Sequence, residues 1–153
     1  MRLESSIEIR RSAEDVWRFL ADPSNLTKWD RGVAAVEVSD ATVTPGVGFE
    51  FATVGHPGSG PDRGRMMYRV TEADPVERDC RAELTSLTGN GRFFRTAQWR
   101  HQVENAPEGS RVTFTAEFRL RLRYFLLAPV LYFIGESAVR KDLVSLKNVL
   151  ENS

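Results

Sequence analysis

Cysteine is nearly absent from this chain. Cys80 stands alone among 153 residues, so no intramolecular disulfide and no multi-cysteine metal site can form. Histidine is almost as scarce: His56 and His101 are the only two, and neither has a His or Cys partner two to four residues away. No metal and no other cofactor is therefore expected. Net charge is missing too, with Lys+Arg and Asp+Glu at 21 each, so the totals give no reason to expect a nucleic-acid partner. The chain holds no G-x-S-x-G elbow, and "GHPGSGPDRG" matches neither a P-loop nor G-x-G-x-x-G. Long apolar runs are also lacking. A membrane span needs about 20 apolar residues, whereas the longest run, Tyr124 to Gly135, has twelve and contains Pro129. No span is expected. "MRLESSIEIRRS" has no apolar core of a secretory signal, which makes the cytoplasm the default compartment.

What is present reads as one domain, residues 1–153, able to bury roughly two-thirds of its unfolded surface. "LESSIEI" alternates with period two and predicts a first strand. Ser12 then caps a helix of about ten residues, with Asp15 at the capping-box distance and Val16, Phe19 and Leu20 on its apolar face. Asp22-Pro23 stops it, and "PSNLTKWD" predicts a second short helix. Six β-like segments follow: "AAVEVSDATV", "GVGFEFATV", "RMMYRVTEAD", "RDCRAELTSL", "RFFRTAQWRHQVE" and "SRVTFTAEFRLRL". Pro45-Gly46, "GHPGSGPDRG", Asp74-Pro75, "TGNG" and "NAPEG" separate them, which favours an antiparallel meander.

The last segment is a helix whose apolar stripe runs Phe125, Ala128, Tyr132, Gly135, Val139, Leu143, Leu146 and Leu150. The predicted class is α+β: a curved seven-stranded antiparallel sheet wrapped around a long C-terminal helix, with two short helices after strand 1. A helix about 10–12 Å across cannot fill such a sheet, which predicts a cavity between them.

Alternation nominates the inward rows: Phe49, Phe51 and Thr53; Met66, Tyr68 and Val70; Cys80, Ala82, Leu84 and Ser86; Phe93, Ala97, Trp99, His101 and Val103; and Val112, Phe114, Ala116, Phe118 and Leu120. His101 could hydrogen-bond a ligand hydroxyl, act as a general base, or simply pair with a backbone carbonyl. Tyr68 offers a hydroxyl to a ligand or to a protein partner. Glu136, beside the helix stripe, could enter the cavity as an acid or reach water or an Arg. Cys80 in an apolar row reads as a small hydrophobe.

"SIEIRRSAEDVWRFLADPSNLTKW", "YRVTEADP", "GSRVTFTAEFRL" and "LLAPVLYFIGESAVRKDLVSLKNVLE" resemble the START-like (SRPBCC, helix-grip or Bet v 1-like) superfamily, and within it the polyketide cyclase/dehydrase branch. The resemblance spans nearly the whole chain. It implies a deep cavity for a hydrophobic small molecule such as a polyketide or lipid, with Trp29 near its mouth and loop 55–62 as a gate. The ligand set expected on this basis is Trp29, Phe49, Phe51, Met66, Tyr68, Leu84, Trp99, His101, Phe114, Phe118, Tyr132 and Val139.

Three functions stay open: a binding or carrier protein, a cofactor-independent polyketide cyclase, aromatase or dehydratase using His101, Tyr68 or Glu136, and a self-resistance protein for a reactive natural product. Fold alone does not choose among them. The apolar patch at Tyr124 to Phe133 leaves a homodimer open.

Overall fold

The computed structural model describes residues 1–40, 45–58, 64–86 and 93–153. The expected end of the second strand at 41–43, the "TGNG" turn and positions 59–62 of the expected gate lie outside these residues. Strand β1 (Arg2–Ile9) leads into helix α1 (Ala13–Ala21), a 3-10 turn (Pro23–Asn25) and helix α2 (Leu26–Trp29). Six strands follow: β2 (Ala35–Val38), β3 (Glu50–Val54), β4 (Met66–Asp74), β5 (Asp79–Leu84), β6 (Phe94–Ala106) and β7 (Gly109–Leu120). A 3-10 segment, Leu122–Leu127, then joins β7 to the long helix α3 (Ala128–Glu151).

Local chemistry explains the breaks. Ser12 Oγ accepts a hydrogen bond from the Asp15 backbone N–H at 3.2 Å and caps α1. Asp22 does the same for the next turn, accepting from the Ser24 N–H at 3.0 Å. Between β6 and β7 the hairpin closes at Gly109, with φ +151°, where a Cβ would collide with the Ile9 carbonyl oxygen. Only glycine lets β1 end against that turn.

The seven strands form one antiparallel sheet in the order β1-β7-β6-β5-β4-β3-β2. Strands β2 to β7 pair in chain order, and β1 returns to the free edge of β7, with Arg2 opposite Glu117 and Ile9 opposite Ser110. This is the antiparallel meander that the turn spacing predicts, in the helix-grip arrangement that the resemblance implies.

One inward residue differs from the alternation. The β6–β7 register shifts between Phe94 and Thr96, so Phe94, not Phe93, turns inward and packs against Phe118 with ring centroids 5.3 Å apart. Phe93 instead meets Tyr124 edge-on at 4.9 Å.

The buried residues fall into two clusters. The first joins α1, Trp29 and the C-terminal half of α3 (Val139, Leu143, Leu146, Leu150) to Ile9, Val103 and Val112. The second lies further across the sheet's inner face and contains Leu3, Phe49, Phe51, Tyr68, Val70, Leu84, Ala97, Ala116 and Phe118. Leu26 and Cys80 pack against both. The stripe of α3 therefore grips the sheet over its last four turns, while Phe125, Val130, Phe133 and Ile134 remain exposed.

Candidate functional site

The inner face of the sheet carries a continuous aromatic surface. Phe49, Phe51 and Tyr68 stack in succession, with centroids 6.4 and 5.4 Å apart, because β3 and β4 pair Phe51 directly with Tyr68. Trp99 meets Phe118 edge-on at 6.2 Å. Phe114 stacks on Trp29 at 5.3 Å, which buries Trp29 in the cluster beneath α3. Most of these residues are buried, but Trp99 is not. It stands in the same row as buried Ala97 and Val103, yet 36% of its surface is open. Met66, Ala82 and Phe114 on the same face are half-buried. This row therefore keeps solvent-accessible aromatic surface at Trp99 although it faces the core.

Two polar side chains interrupt this surface. His101 sits between Trp17 and Phe114, both with ring centroids 5.9 Å away. The imidazole as a whole is half-buried, but its Nε2 is fully buried without a hydrogen-bond partner. Burial lowers its pKa to about 4 against a small opposing pull from Asp79, so the ring is neutral at pH 7. Asp79 itself is committed to Arg100. Tyr68, the second group, places its hydroxyl 3.7 Å from Met66 Sδ, and Trp99 and Thr53 partly offset the effect of its burial. Burial, with the Asp30 charge adding to it, pushes the phenol pKa well above its usual value.

Asp30 is a residue the alternation and stripe patterns do not reveal. It closes α2, accepts a hydrogen bond from the Gly32 N–H at 2.9 Å, and is held above the usual carboxylate range by burial. Asp142 on α3 joins it. The Arg31 N–H donates to Asp142 Oδ1 at 3.3 Å, while burial and then the Asp30 charge raise the Asp142 pKa to about 6. A signal for Asp142 did exist: it lies three residues after Val139 and four before Leu146, a carboxylate on the buried side of the stripe. Tyr68, Asp30 and Asp142 thus form a chain of electrostatically coupled groups from sheet to helix.

The other expected residues divide. Leu84 and Val139 are buried in the two clusters. Tyr132 is exposed, its ring edge-on to Phe133 at 5.9 Å. Glu136 accepts a hydrogen bond from Arg140 Nη2 one turn later, at 2.7 Å. Cys80 is half-buried, and burial pushes its thiol up to about 11, which leaves it protonated and unreactive at neutral pH. Among the described residues no three His, Cys, Asp or Glu side chains converge as a metal site.

A separate groove of about 570 Å³ lies at the sheet end where β1 begins and β7 finishes. Arg2, Glu83, Arg95, Gln98, Glu117 and Arg119 line it with charge of both signs, alongside Leu84, Ala97 and Phe118 of the inner-face cluster.

No curated protein sequence matches the chain. Solved structures do. TTHA0849 from Thermus thermophilus superposes with a TM-score of 0.78 at 20% identity, covering 100% of this chain and 99% of that one. Norcoclaurine synthase from Thalictrum flavum, solved with dopamine and hydroxybenzaldehyde, gives 0.72 at 17%, covering 100% and 88%. The di-domain ARO/CYC BexL from the BE-7585A biosynthetic pathway gives 0.72 at 16%, with 99% of this chain spanning 46% of BexL. At these identities the likeness establishes the Bet v 1-like helix-grip fold. A family model described as polyketide cyclase / dehydrase and lipid transport matches residues 1–151. With fold and sequence in agreement from end to end, the chain belongs to the polyketide cyclase/dehydrase and lipid transport family.

Proposed function

We propose that the protein binds a hydrophobic small molecule, polyketide- or lipid-like and bearing at least one hydrogen-bonding group, between the sheet's inner face and α3. The observation that carries this reading is the pairing of open apolar surface at Trp99 with a buried, unpartnered nitrogen at His101. A buried polar atom without a partner costs about 1–3 kcal/mol, and a ligand hydroxyl or carbonyl at that point removes the cost. Binding sites of this kind are mostly apolar, with a few polar groups that fix orientation. Trp99, Met66 and Phe114 supply the first property; His101 and Tyr68 supply the second.

Native mass spectrometry of freshly purified protein tests the proposal. The expected result is a one-to-one adduct of small-molecule mass. Titration of ligand-free protein with that molecule should quench tryptophan fluorescence, and the quenching should largely vanish in Trp99→Phe. His101→Phe should weaken binding about three- to tenfold, the worth of one hydrogen bond. Protein that retains no ligand and shows no saturable Trp99 response would overturn the reading.

One observation favours a second reading, acid/base catalysis of a cyclisation or dehydration. Asp142 has its pKa raised to about 6 and is coupled to Asp30, which acts in turn on Tyr68. A carboxyl that titrates near the working pH can both hold and release a proton. Holding a flexible substrate in one fold would supply much of the remaining rate. Turnover of a bound poly-β-ketone analogue with a pH profile that breaks near 6, lost in Asp142→Asn while binding persists, would assign catalysis.

A further inference from the structure

The front of α3 and the 3-10 segment before it expose an apolar surface that neither core cluster uses. Leu122 is 91% exposed, Leu126 88% and Phe133 69%, with Phe125, Val130 and Ile134 also exposed. Within α3, Val130, Phe133 and Ile134 share one side of the helix, opposite the turn-by-turn line that leads to Val139 and Leu143. By length and composition the segment Leu122–Glu151 could cross a membrane. It cannot do so in this fold, because Val139, Leu143, Leu146 and Leu150 at its far end are buried in the protein core. The exposed half must meet something while the other half stays packed.

Local charge identifies the occupant. The whole chain is neutral, yet residues 118–135 contain Arg119, Arg121 and Arg123 and no Asp or Glu. Arg123 lies over the Tyr124 ring at 5.3 Å, beside the apolar surface. The carboxylates that flank the segment are both paired: Glu117 lies 3.9 Å from Arg2, and Glu136 accepts a hydrogen bond from Arg140. A second copy of the chain fits poorly: a two-fold contact sets a patch against itself, and this patch has no carboxylate to answer its own arginines. Apolar side chains rimmed by Arg and Tyr match the interface of a bilayer whose headgroups are negative.

We propose that the Leu122–Ile134 surface is a membrane-docking face, which lays the front of α3 on an anionic lipid surface with Leu126, Val130, Phe133 and Ile134 entering the headgroup–acyl boundary. The inference stands on the exposed face alone and does not depend on what the inner cavity holds.

Flotation of the full-length protein with phosphatidylcholine vesicles, with and without 30% phosphatidylglycerol, tests it. The protein should float with the anionic vesicles, and 0.5 M salt should release much of it. Arg123→Glu should lower partitioning at least about fivefold, since each basic residue near such a surface is worth about fivefold. Phe133→Ser with Ile134→Ser should lower it at least about tenfold while leaving the circular-dichroism spectrum and thermal midpoint unchanged, because both side chains are exposed in the folded protein. Failure to float with anionic vesicles would overturn the proposal. So would vesicle binding that the Phe133/Ile134 pair does not alter. A concentration-dependent dimer in sedimentation equilibrium that the same pair abolishes, without vesicle binding, would give the face to a second copy instead.

Discussion

Helix α3 is two helices in physical terms. Its last four turns bury Val139, Leu143, Leu146 and Leu150 against α1, β1, β6 and β7. Its first two turns carry side chains at least as apolar, Val130, Phe133 and Ile134, and leave them in the open. Propensity and hydropathy do not separate the halves; contact does. The buried residues lie along the side of the helix that faces the sheet, whereas Val130, Phe133 and Ile134 lie on the opposite side, so equal hydrophobicity becomes stability on one face and an unpartnered surface on the other.

The sharpest break of this comparison is a matched truncation. Leu146→Ala, at a fully buried position, should cost about 3 kcal/mol. Phe133→Ala removes a larger side chain yet should change stability by no more than about 0.5 kcal/mol. Urea unfolding of both variants measures the difference. Equal losses would mean that the front half is packed after all.

Next in size is a pH effect in the layer beneath the buried half, where His101 lies between Trp17 and Phe114. Its folded pKa of about 4 lies below the unfolded value of about 6.5. Below pH 6.5 the unfolded chain therefore binds a proton that the folded protein does not. Stability falls as pH drops from 6.5 towards 4, by about 2–3 kcal/mol, and levels off below that range. His101→Phe should remove this part of the acid sensitivity. The variant's urea midpoints at pH 7 and pH 4.5 should differ less than those of the parent protein.

Asp142 stands beside the buried stripe of that half, and the sign of its pH effect is the opposite. Its folded pKa of about 6 exceeds the ordinary carboxylate value. The unfolded chain thus loses its proton first, and the folded state is penalised as pH rises from 4 through 6. Asp142 is only half-buried, and solvent screening leaves about 1 kcal/mol of that penalty. Asp142→Asn should raise the melting temperature at pH 8 and leave it nearly unchanged at pH 4.

Much of this architecture was legible in the residues. Period-two alternation and turn chemistry place all seven strands, and the 100° stripe finds the buried half of α3. What they miss is geometry that no period encodes. A register shift between Phe94 and Thr96 exchanges which phenylalanine faces the core. The stripe also continues through Tyr132 and Phe125 as though the sheet extended beneath them, because periodicity records which residues share a face and not whether anything covers it. The coupled carboxylates are the other gap. Asp30 and Asp142 are 112 positions apart, and only the approach of α2 to α3 makes them one electrostatic unit. His101 and Tyr68 could be singled out beforehand because they stand as polar residues in apolar rows.

The boundary between the two halves is Gly135, and there the expected effect is smallest. A glycine inside a helix costs about 1 kcal/mol relative to alanine, so Gly135→Ala would stabilise an isolated α3. In the protein a Cβ at this position would lie 2.8 Å from Leu3 Cδ1. Leu3 is buried, so its methyl has little room to yield, and crowding of this kind typically costs about 1–3 kcal/mol. The two terms nearly cancel, leaving a net loss of about 0.5 kcal/mol. Their opposition becomes visible when the contact is relieved. In a Leu3→Ala background the clash is gone, so the same Gly135→Ala change should become stabilising by about 1 kcal/mol. The sign reversal would identify the Leu3 contact as what opposes the helix gain. An unchanged sign in both backgrounds would mean that Gly135 is not where the helix makes its closest approach.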